Sequence, residues 1–305
     1  MNIMIVTNSA YLPHARLMLG SLFRHHPGIK INVFLPYEEL TEQELTELSE
    51  FCGFFGEELY PLYVGDEFKR RVRSRNGIGV DTYYRILGID LLPKDMERIL
   101  YLDADMVIRK DLTELYRTDF KGTMFVVCED IFGKINGFHE ANKRRLSIPK
   151  EYSYFNAGVM LFNLTALHRE SAAETMLSHI YRDFERYEYN DQDVMNELYY
   201  NQLTWAGWDE YNCPPAWYYL NKNASNRGEL AFADYEEIRR AERDPEGFMR
   251  EYINITRQIY DNAKIIHYLG DTKPWSMTRK KAAVYDIFDE AYYQEQAQVG
   301  YLPGS

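Results

Sequence analysis

Two aspartates, Asp103 and Asp105, break an otherwise apolar run, Arg98-Ile99-Leu100-Tyr101-Leu102-Asp103-Ala104-Asp105-Met106-Val107-Ile108. Side chains of a strand alternate with period two, so both carboxylates would leave the chain on one side, about 7 Å apart or less at ~3.3 Å per residue. A kink where the strand ends would bring them closer. Hard oxygens converging in this way suit a divalent cation that also holds phosphates. The bare pattern carries little weight. With 19 aspartates in 305 residues, roughly one Asp-x-Asp arises by chance, and a second, Asp191-Gln192-Asp193, is present. Context lifts the first, because carboxylates set among apolar strand residues are costly unless paired or bound to metal.

Other residues able to do chemistry are scattered. Arg85 lies on a predicted helix over 81–92, where a lone arginine is usually solvated or ion-paired. Asp191 and Asp193 open another predicted helix, where carboxylates also complement the macrodipole. His267 ends the last predicted strand, and such a histidine is more often an ordinary satisfied residue than a ligand. The polar turn Thr7-Asn8-Ser9-Ala10-Tyr11 follows the first strand and is a candidate nucleotide loop. It has no Gly-x-Gly-x-x-Gly, so neither a dinucleotide fingerprint nor a P-loop is present.

The elements that must position these groups follow from periodicity. Strands are predicted over 2–7, 31–35 and 59–64, alternating with a helix opened by Pro13 and one opened by the capping box Thr41-Glu42-Gln43-Glu44. This β-α-β-α-β opening predicts a parallel sheet flanked by helices, with ligands beyond the carboxyl ends of the strands. In the helix over 81–92, Tyr84, Leu87 and Leu91 are expected to face inward. Strands follow over 98–108, 124–128 and 154–164, the last with small residues Ala157 and Gly158 that permit close approach by a neighbour or ligand. Residues 131–151 read as an irregular loop over a site, 171–187 as a helix, and Asn190 to Asp193 as a cap for the next helix. The segment 232–252 reads as a solvated charged helix, 264–270 as the last strand, and the chain beyond 277 as a helix with a frayed tail.

Composition bounds the function. A chain of 305 residues makes one large or two small domains. Net charge −12 argues against nucleic acid or an anionic membrane surface as the main partner, and an anionic substrate would need a metal or a few placed cations. The 26 tyrosines could stack on sugar faces as well as fill a core. In particular, Pro214, Pro215 and Trp217 lie in an aromatic segment that could meet an acceptor. Cys52, Cys128 and Cys213 match no zinc or redox spacing, and neither a signal peptide nor an 18-residue apolar run is read, so a reduced, cytoplasmic protein is expected. The sequons at Asn163, Asn223 and Asn254 then read as coincidental.

Six motifs occur in a telling order: Val6-Thr7-Asn8-Ser9-Ala10-Tyr11, Tyr83-Tyr84-Arg85, Ile99 to Asp105, Phe155-Asn156-Ala157-Gly158, Asn190-Asp191-Gln192-Asp193, and His267 to Trp275. Together they resemble family 8 glycosyltransferases, retaining enzymes related to bacterial lipopolysaccharide galactosyl- and glucosyltransferases and, more distantly, to glycogenin. The resemblance implies an α/β, single-domain GT-A-type nucleotide-diphospho-sugar transferase fold, a Rossmann-like mixed sheet flanked by helices. It would form a catalytic domain over 1–275 with a charged helical insertion at about 226–260, followed by a C-terminal helix and tail over 276–305.

The same resemblance implies that Asp103, Asp105 and His267 hold a metal, Mn²⁺ before Mg²⁺ because of the imidazole. It places Thr7, Asn8 and Tyr11 at the uracil and ribose, where the family often has Asp at the position of Asn8. Gly270 and Lys273 fall at the diphosphate, and Arg85, Asn156, Asp191 and Gln192 around the donor sugar, with Ala104 and Ala157 in the same UDP-sugar site. The expected reaction moves galactose or glucose from a UDP-sugar to a saccharide or glycolipid acceptor, in the cytoplasm or at the inner face of the membrane. Front-face substitution is preferred, with Gln192 steadying positive charge and Asp191 holding donor hydroxyls. A nucleotidyltransferase acting on sugar phosphates and a noncatalytic nucleotide-sugar-binding module stay open as alternatives.

Overall fold

The computed structural model of the chain describes residues 1–72, 79–135, 137–215, 243–270, 273–275 and 287–300. Outside them lie Trp217, the sequon at Asn223, the start of the charged insertion, Asp271, Thr272 and the tail.

Nine strands are described: β1 (Asn2–Met4), β2 (Asn32–Tyr37), β3 (Glu58–Tyr63), β4 (Arg98–Leu102), β5 (Met106–Ile108), β6 (Phe125–Glu129), β7 (Phe155–Asn163), β8 (Leu203–Ala206) and β9 (Ile265–His267). Seven form one sheet in the order β3-β2-β1-β4-β7-β6-β8, and β5 pairs with β9 in a second. β1 to β4 pair in parallel, as the alternation of strands and helices requires. β7 runs antiparallel to both β4 and β6, which makes the sheet mixed. In β4, Leu100 and Leu102 enter the core on one face, while Ile99 and Tyr101 enter the core on the other. A central strand covered on both faces reads as a continuous apolar run for this reason. The capping box forms as predicted, with Glu44 N–H donating to Thr41 Oγ1 at 3.2 Å and Thr41 N–H to Glu44 Oε2 at 2.8 Å.

Four expectations are corrected. Asp103 and Asp105 do not lie on one strand: β4 stops at Leu102 and β5 begins at Met106, in the other sheet. Asp103 N–H still donates to Gly158 C=O at 2.9 Å, whereas Asp105 C=O already accepts from Tyr268 N–H at 2.9 Å. The chain thus changes sheets within three residues, and this kink replaces strand alternation as what turns both carboxylates inward. The stretch 131–151 is not irregular; it contains the helices Ile131–Ile135 and Phe138–Arg145 around Gly137, whose φ is 76°. Its second helix buries His139, Asn142 and Lys143, polar residues that give no apolar periodicity to read.

The helix Tyr84–Leu91, entered through a 3-10 turn over Val80–Tyr83, buries Tyr84, Arg85, Ile86, Gly88 and Ile89, while Leu91 is exposed. Two contacts rotate this face away from the predicted one. Arg85 is drawn inward by carboxylates, and Gly88 sits so near β2 that a Cβ there would lie 2.6 Å from Pro36. Finally, Asn190 to Asp193 do not cap the helix Asn190–Tyr199 from outside but form its first turn, with Tyr189 at the N-cap position.

The helix Pro245–Asn262 occupies part of the predicted charged segment. The helix Ile287–Val299 adds Phe288, Ala291, Tyr292 and Val299 to the same core as the helix Leu12–Arg24.

Candidate active site

Asp103, Asp105 and His267 come together from the β4–β5 turn and the end of β9, with one potential ligand atom from each lying within 4.8 Å of the others. The cross-strand pair Met106 and His267 brings them into register. Each of the three has one atom anchored and another turned inward. Asp103 Oδ1 accepts from Tyr101 Oη at 2.6 Å and from Arg85 at 3.2 Å, which leaves Oδ2 facing His267 Nε2 at 3.6 Å. Asp105 Oδ2 is bound by Lys273 Nζ, which leaves Oδ1 3.2 Å from the same Nε2. His267 Nδ1 is 2.8 Å from Asn212 Oδ1. His267 is 1% exposed, and its Nε2 has no partner in hydrogen-bond geometry. A buried imidazole nitrogen aimed at two carboxylates, each braced by a supporting group, is a donor set that could hold a divalent cation.

Gly158 explains how the imidazole fits. A Cβ at this position would lie 2.2 Å from His267 Cε1 and 2.9 Å from Asp103 Oδ2. The close approach anticipated at Ala157-Gly158 is therefore made by the histidine and the aspartate.

Arg85 is neither solvated nor peripheral. It is 4% exposed, with Nε 2.9 Å from Asp191 Oδ2, one terminal nitrogen on Asp103 and the other donating to Ala157 C=O at 2.5 Å. Its Nε–H is directed to Thr82 C=O at 3.0 Å, so Asp191 Oδ2 is close in charge but keeps no hydrogen bond of its own. Burial pushes the Asp191 carboxyl up to about 6, with Arg85 opposing and Asp103 reinforcing. Burial also raises Asp105, but Lys273 and His267 outweigh it and hold that carboxyl well below the usual range. Lys273 is held above its ordinary value: burial acts against the charge and Asp105 more than compensates.

Gln192 stands on the same helix turn as Asp191. Its Oε1 accepts from Ala157 N–H at 3.0 Å and from Asn156 Nδ2 at 3.2 Å, which occupies both lone pairs. Thr7 and Asn8 line a cleft of about 480 Å³ with Glu38, Asp81 and Tyr84. The Asn8 amide is engaged within the protein, donating to Asp81 Oδ2 at 2.9 Å and accepting from Tyr11 N–H at 3.2 Å. Tyr11 lies near Lys273, whose Nζ is 5.2 Å from its ring centroid. Ala104 is buried between the two aspartates, and Gly270 takes a left-handed φ of 53° three residues beyond His267.

Sequence reasoning missed Tyr101, Asp81, Asn212 and Asp130 as site residues. Tyr101 was legible only as a core aromatic of β4, and Asn212 follows a short helix, Trp208–Tyr211, that no periodicity announces. Asp130 is buried at the end of β6 and raised to about 6 chiefly by that burial, with the backbone hydrogen bond from Gly133 opposing.

A family model described as glycosyl transferase family 8 matches residues 2–279. The lipopolysaccharide 1,2-glucosyltransferase of Escherichia coli is 25% identical over 268 residues, which cover 87% of this chain and 70% of that protein. A Haemophilus influenzae protein named as a glycosyltransferase is 26% identical over 199 residues, 65% of this chain and 59% of its own length. Among solved structures, the galactosyltransferase LgtC in complex with donor and acceptor sugar analogs matches with a TM-score of 0.74 at 20% identity, over 99% of this chain and 98% of that one. At that identity the structural likeness speaks for the fold alone.

Proposed function

Because the chain belongs to glycosyl transferase family 8 and shares the GT-A-type fold, we propose that it is a retaining, Mn²⁺-dependent hexosyltransferase. It would move galactose or glucose from a UDP-sugar to a hydroxyl of a saccharide or glycolipid. The observation that supports this most is the convergence of Asp103, Asp105 and the unpartnered Nε2 of His267 beside Lys273 and Arg85. Nitrogen ligation favours Mn²⁺ over Mg²⁺. When bound, the cation neutralises negative charge that grows on the leaving diphosphate, an effect worth several kcal/mol in such sites.

The chain's own residues divide the remaining work. Lys273 brings a second positive charge for the diphosphate, which helps an acidic protein of net charge −12 hold an anionic donor. Asp191 Oδ2, buried and without a hydrogen bond, is an acceptor for a donor-sugar hydroxyl. Gln192 has no free lone pair on Oε1 for attack at carbon, so it acts as a fixed dipole beside developing positive charge. A front-face substitution, in which the leaving phosphate oxygen takes the acceptor proton, agrees with this better than a covalent step. A mass-shifted glycosyl adduct on Asp191 would overturn that choice. The Escherichia coli relative's name makes a cell-surface glycolipid the favoured acceptor class. Among the described residues no helix is long and apolar enough to cross a membrane, and action in the cytoplasm at the inner membrane face agrees with the buried thiols Cys52, Cys128 and Cys213.

The test is UDP release from a panel of nucleotide sugars with Mn²⁺, comparing wild type with Asp105→Asn. UDP-galactose or UDP-glucose should be turned over by the wild type and not by the variant, which should still unfold cooperatively. Unchanged turnover in the variant refutes the metal assignment, and release of pyrophosphate refutes glycosyl transfer.

A further inference from the structure

The hydrogen bonds behind His267 form a chain whose polarity is set by two backbone N–H groups. Ala157 N–H can only donate, so the Gln192 atom it meets at 3.0 Å is Oε1. Gly158 N–H likewise fixes the Asn156 atom it meets at 3.0 Å as Oδ1, which leaves Asn156 Nδ2 to donate to Gln192 Oε1 at 3.2 Å. Asn212 meets that same Asn156 Oδ1 at 2.9 Å, so it must donate there through Nδ2. The other end of the Asn212 amide is then Oδ1, an acceptor, and it lies 2.8 Å from His267 Nδ1. His267 must therefore carry a proton on Nδ1. Nε2, which has no hydrogen-bond partner, is then the nitrogen that faces Asp103 and Asp105, 3.6 Å and 3.2 Å away. Asn212 and Asn156 are both buried, and the chain through Cys213 is clamped along β9, with Cys213 N–H on Ile265 C=O at 3.1 Å and His267 N–H on Cys213 C=O at 2.9 Å.

We propose that Asn212 is a positioning residue which fixes His267 as the Nδ1–H tautomer and, through Asn156, ties the metal-side imidazole to Gln192 on the sugar side. The inference rests on the cation site of the proposed function. With Nδ1–H committed to Asn212, Nε2 is the nitrogen left facing the two carboxylates, and it is the one that can give its lone pair to a cation held between them.

Two substitutions separate the two halves of the role. Asn212→Ala removes both hydrogen bonds. Asn212→Asp keeps an acceptor for Nδ1–H but has no donor for Asn156 Oδ1. In metal-free protein, ¹⁵N NMR of labelled histidine should show His267 with Nδ1 protonated in wild type and Asn212→Asp, and the Nε2–H form gaining in Asn212→Ala. Mn²⁺ binding, followed by the EPR signal of the free ion, should weaken about 10- to 100-fold in Asn212→Ala and stay within a few-fold in Asn212→Asp. Asn212→Asp should nonetheless lose kcat at saturating Mn²⁺, because Gln192 loses its anchored neighbour.

An Nε2–H tautomer in the wild type overturns the inference without any variant, so a misfolded Asn212→Ala cannot shield it. Equal loss of Mn²⁺ affinity in both variants, or none in Asn212→Ala, also overturns it. A wild type that shows the Nδ1–H form yet binds no Mn²⁺ would instead overturn the metal reading of the site.

Discussion

Arg85 offers the sharpest test of how the site is held together. Its guanidinium is buried between Asp191 at 2.9 Å and Asp103 at 3.2 Å, over the Tyr101 ring at 4.0 Å. At an effective dielectric of ~20, charges at such separations attract by roughly 5 kcal/mol per pair before desolvation is counted. Replacing Arg85 with Met removes both attractions and leaves two acids facing each other. Breaking a buried pair from one side typically costs about 3–5 kcal/mol, because the partner's charge stays buried without compensation.

The loss should depend on pH with a definite sign. Asp191 is already raised to about 6 by burial against the opposing pull of Arg85, and removing Arg85 raises it further. A group raised in the folded state favours folding at low pH and loses that contribution as pH rises through its folded value. Urea unfolding of Arg85→Met in EDTA should therefore show the full deficit at pH 8 and a smaller one at pH 5. Adding Asp191→Asn should restore about 1–3 kcal/mol at pH 8, the usual size of coupling between contacting groups. A deficit below about 1 kcal/mol on the same scale, one independent of pH, or one untouched by Asp191→Asn would refute this account.

Gly158→Ala places a methyl group 2.2 Å from His267 Cε1, so the imidazole must move. Overpacking of this kind costs about 1–3 kcal/mol, and Mn²⁺ affinity by free-ion EPR should fall at least as far as in Asn212→Ala; unchanged affinity and urea midpoint would show that the strand yields instead. Asp130 carries a folded value of about 6, raised first by burial, so its contribution to stability is present below about pH 4 and lost as pH rises through 6. Asp130→Asn stays neutral and can keep the Gly133 N–H bond of 3.0 Å. It should match wild type at pH 4 and exceed it at pH 8 by up to about 3 kcal/mol, at 1.36 kcal/mol per pH unit. A difference that is the same at both ends, measured by urea unfolding in EDTA, would sink the assignment.

What could be read from the sequence follows the length scale of the interaction. The parallel half of the sheet was legible because β1, β2 and β3 are short runs rich in apolar residues, separated by a helix opened by Pro13 and one opened by the Thr41 capping box, and both signals are local. The convergence of Asp103, Asp105 and His267 was legible only through ordered motifs, since local periodicity put Asp103 and Asp105 on one strand. The kink between them depends on Gly158 and Tyr268, 55 and 163 residues further on from Asp103 and Asp105 respectively. Arg85 shows the same limit from the other side. Its neighbours in the chain predict a face through Leu87 and Leu91, and Asp191, 106 residues away, rotates that face until the arginine is inside.

Asn212 lies beyond even the motifs. Nothing near it repeats, the helix before it is four residues long, and its meaning exists only through the donors on Ala157 and Gly158. Residues that touch a ligand are constrained in type by that ligand's chemistry, so they form patterns a reader can match. Residues that orient them are constrained by hydrogen-bond polarity, which propagates through space and leaves no spacing in the chain. In this protein the second kind places the proton of His267 on Nδ1, and by the proposal above that sets how tightly the first kind would hold a cation.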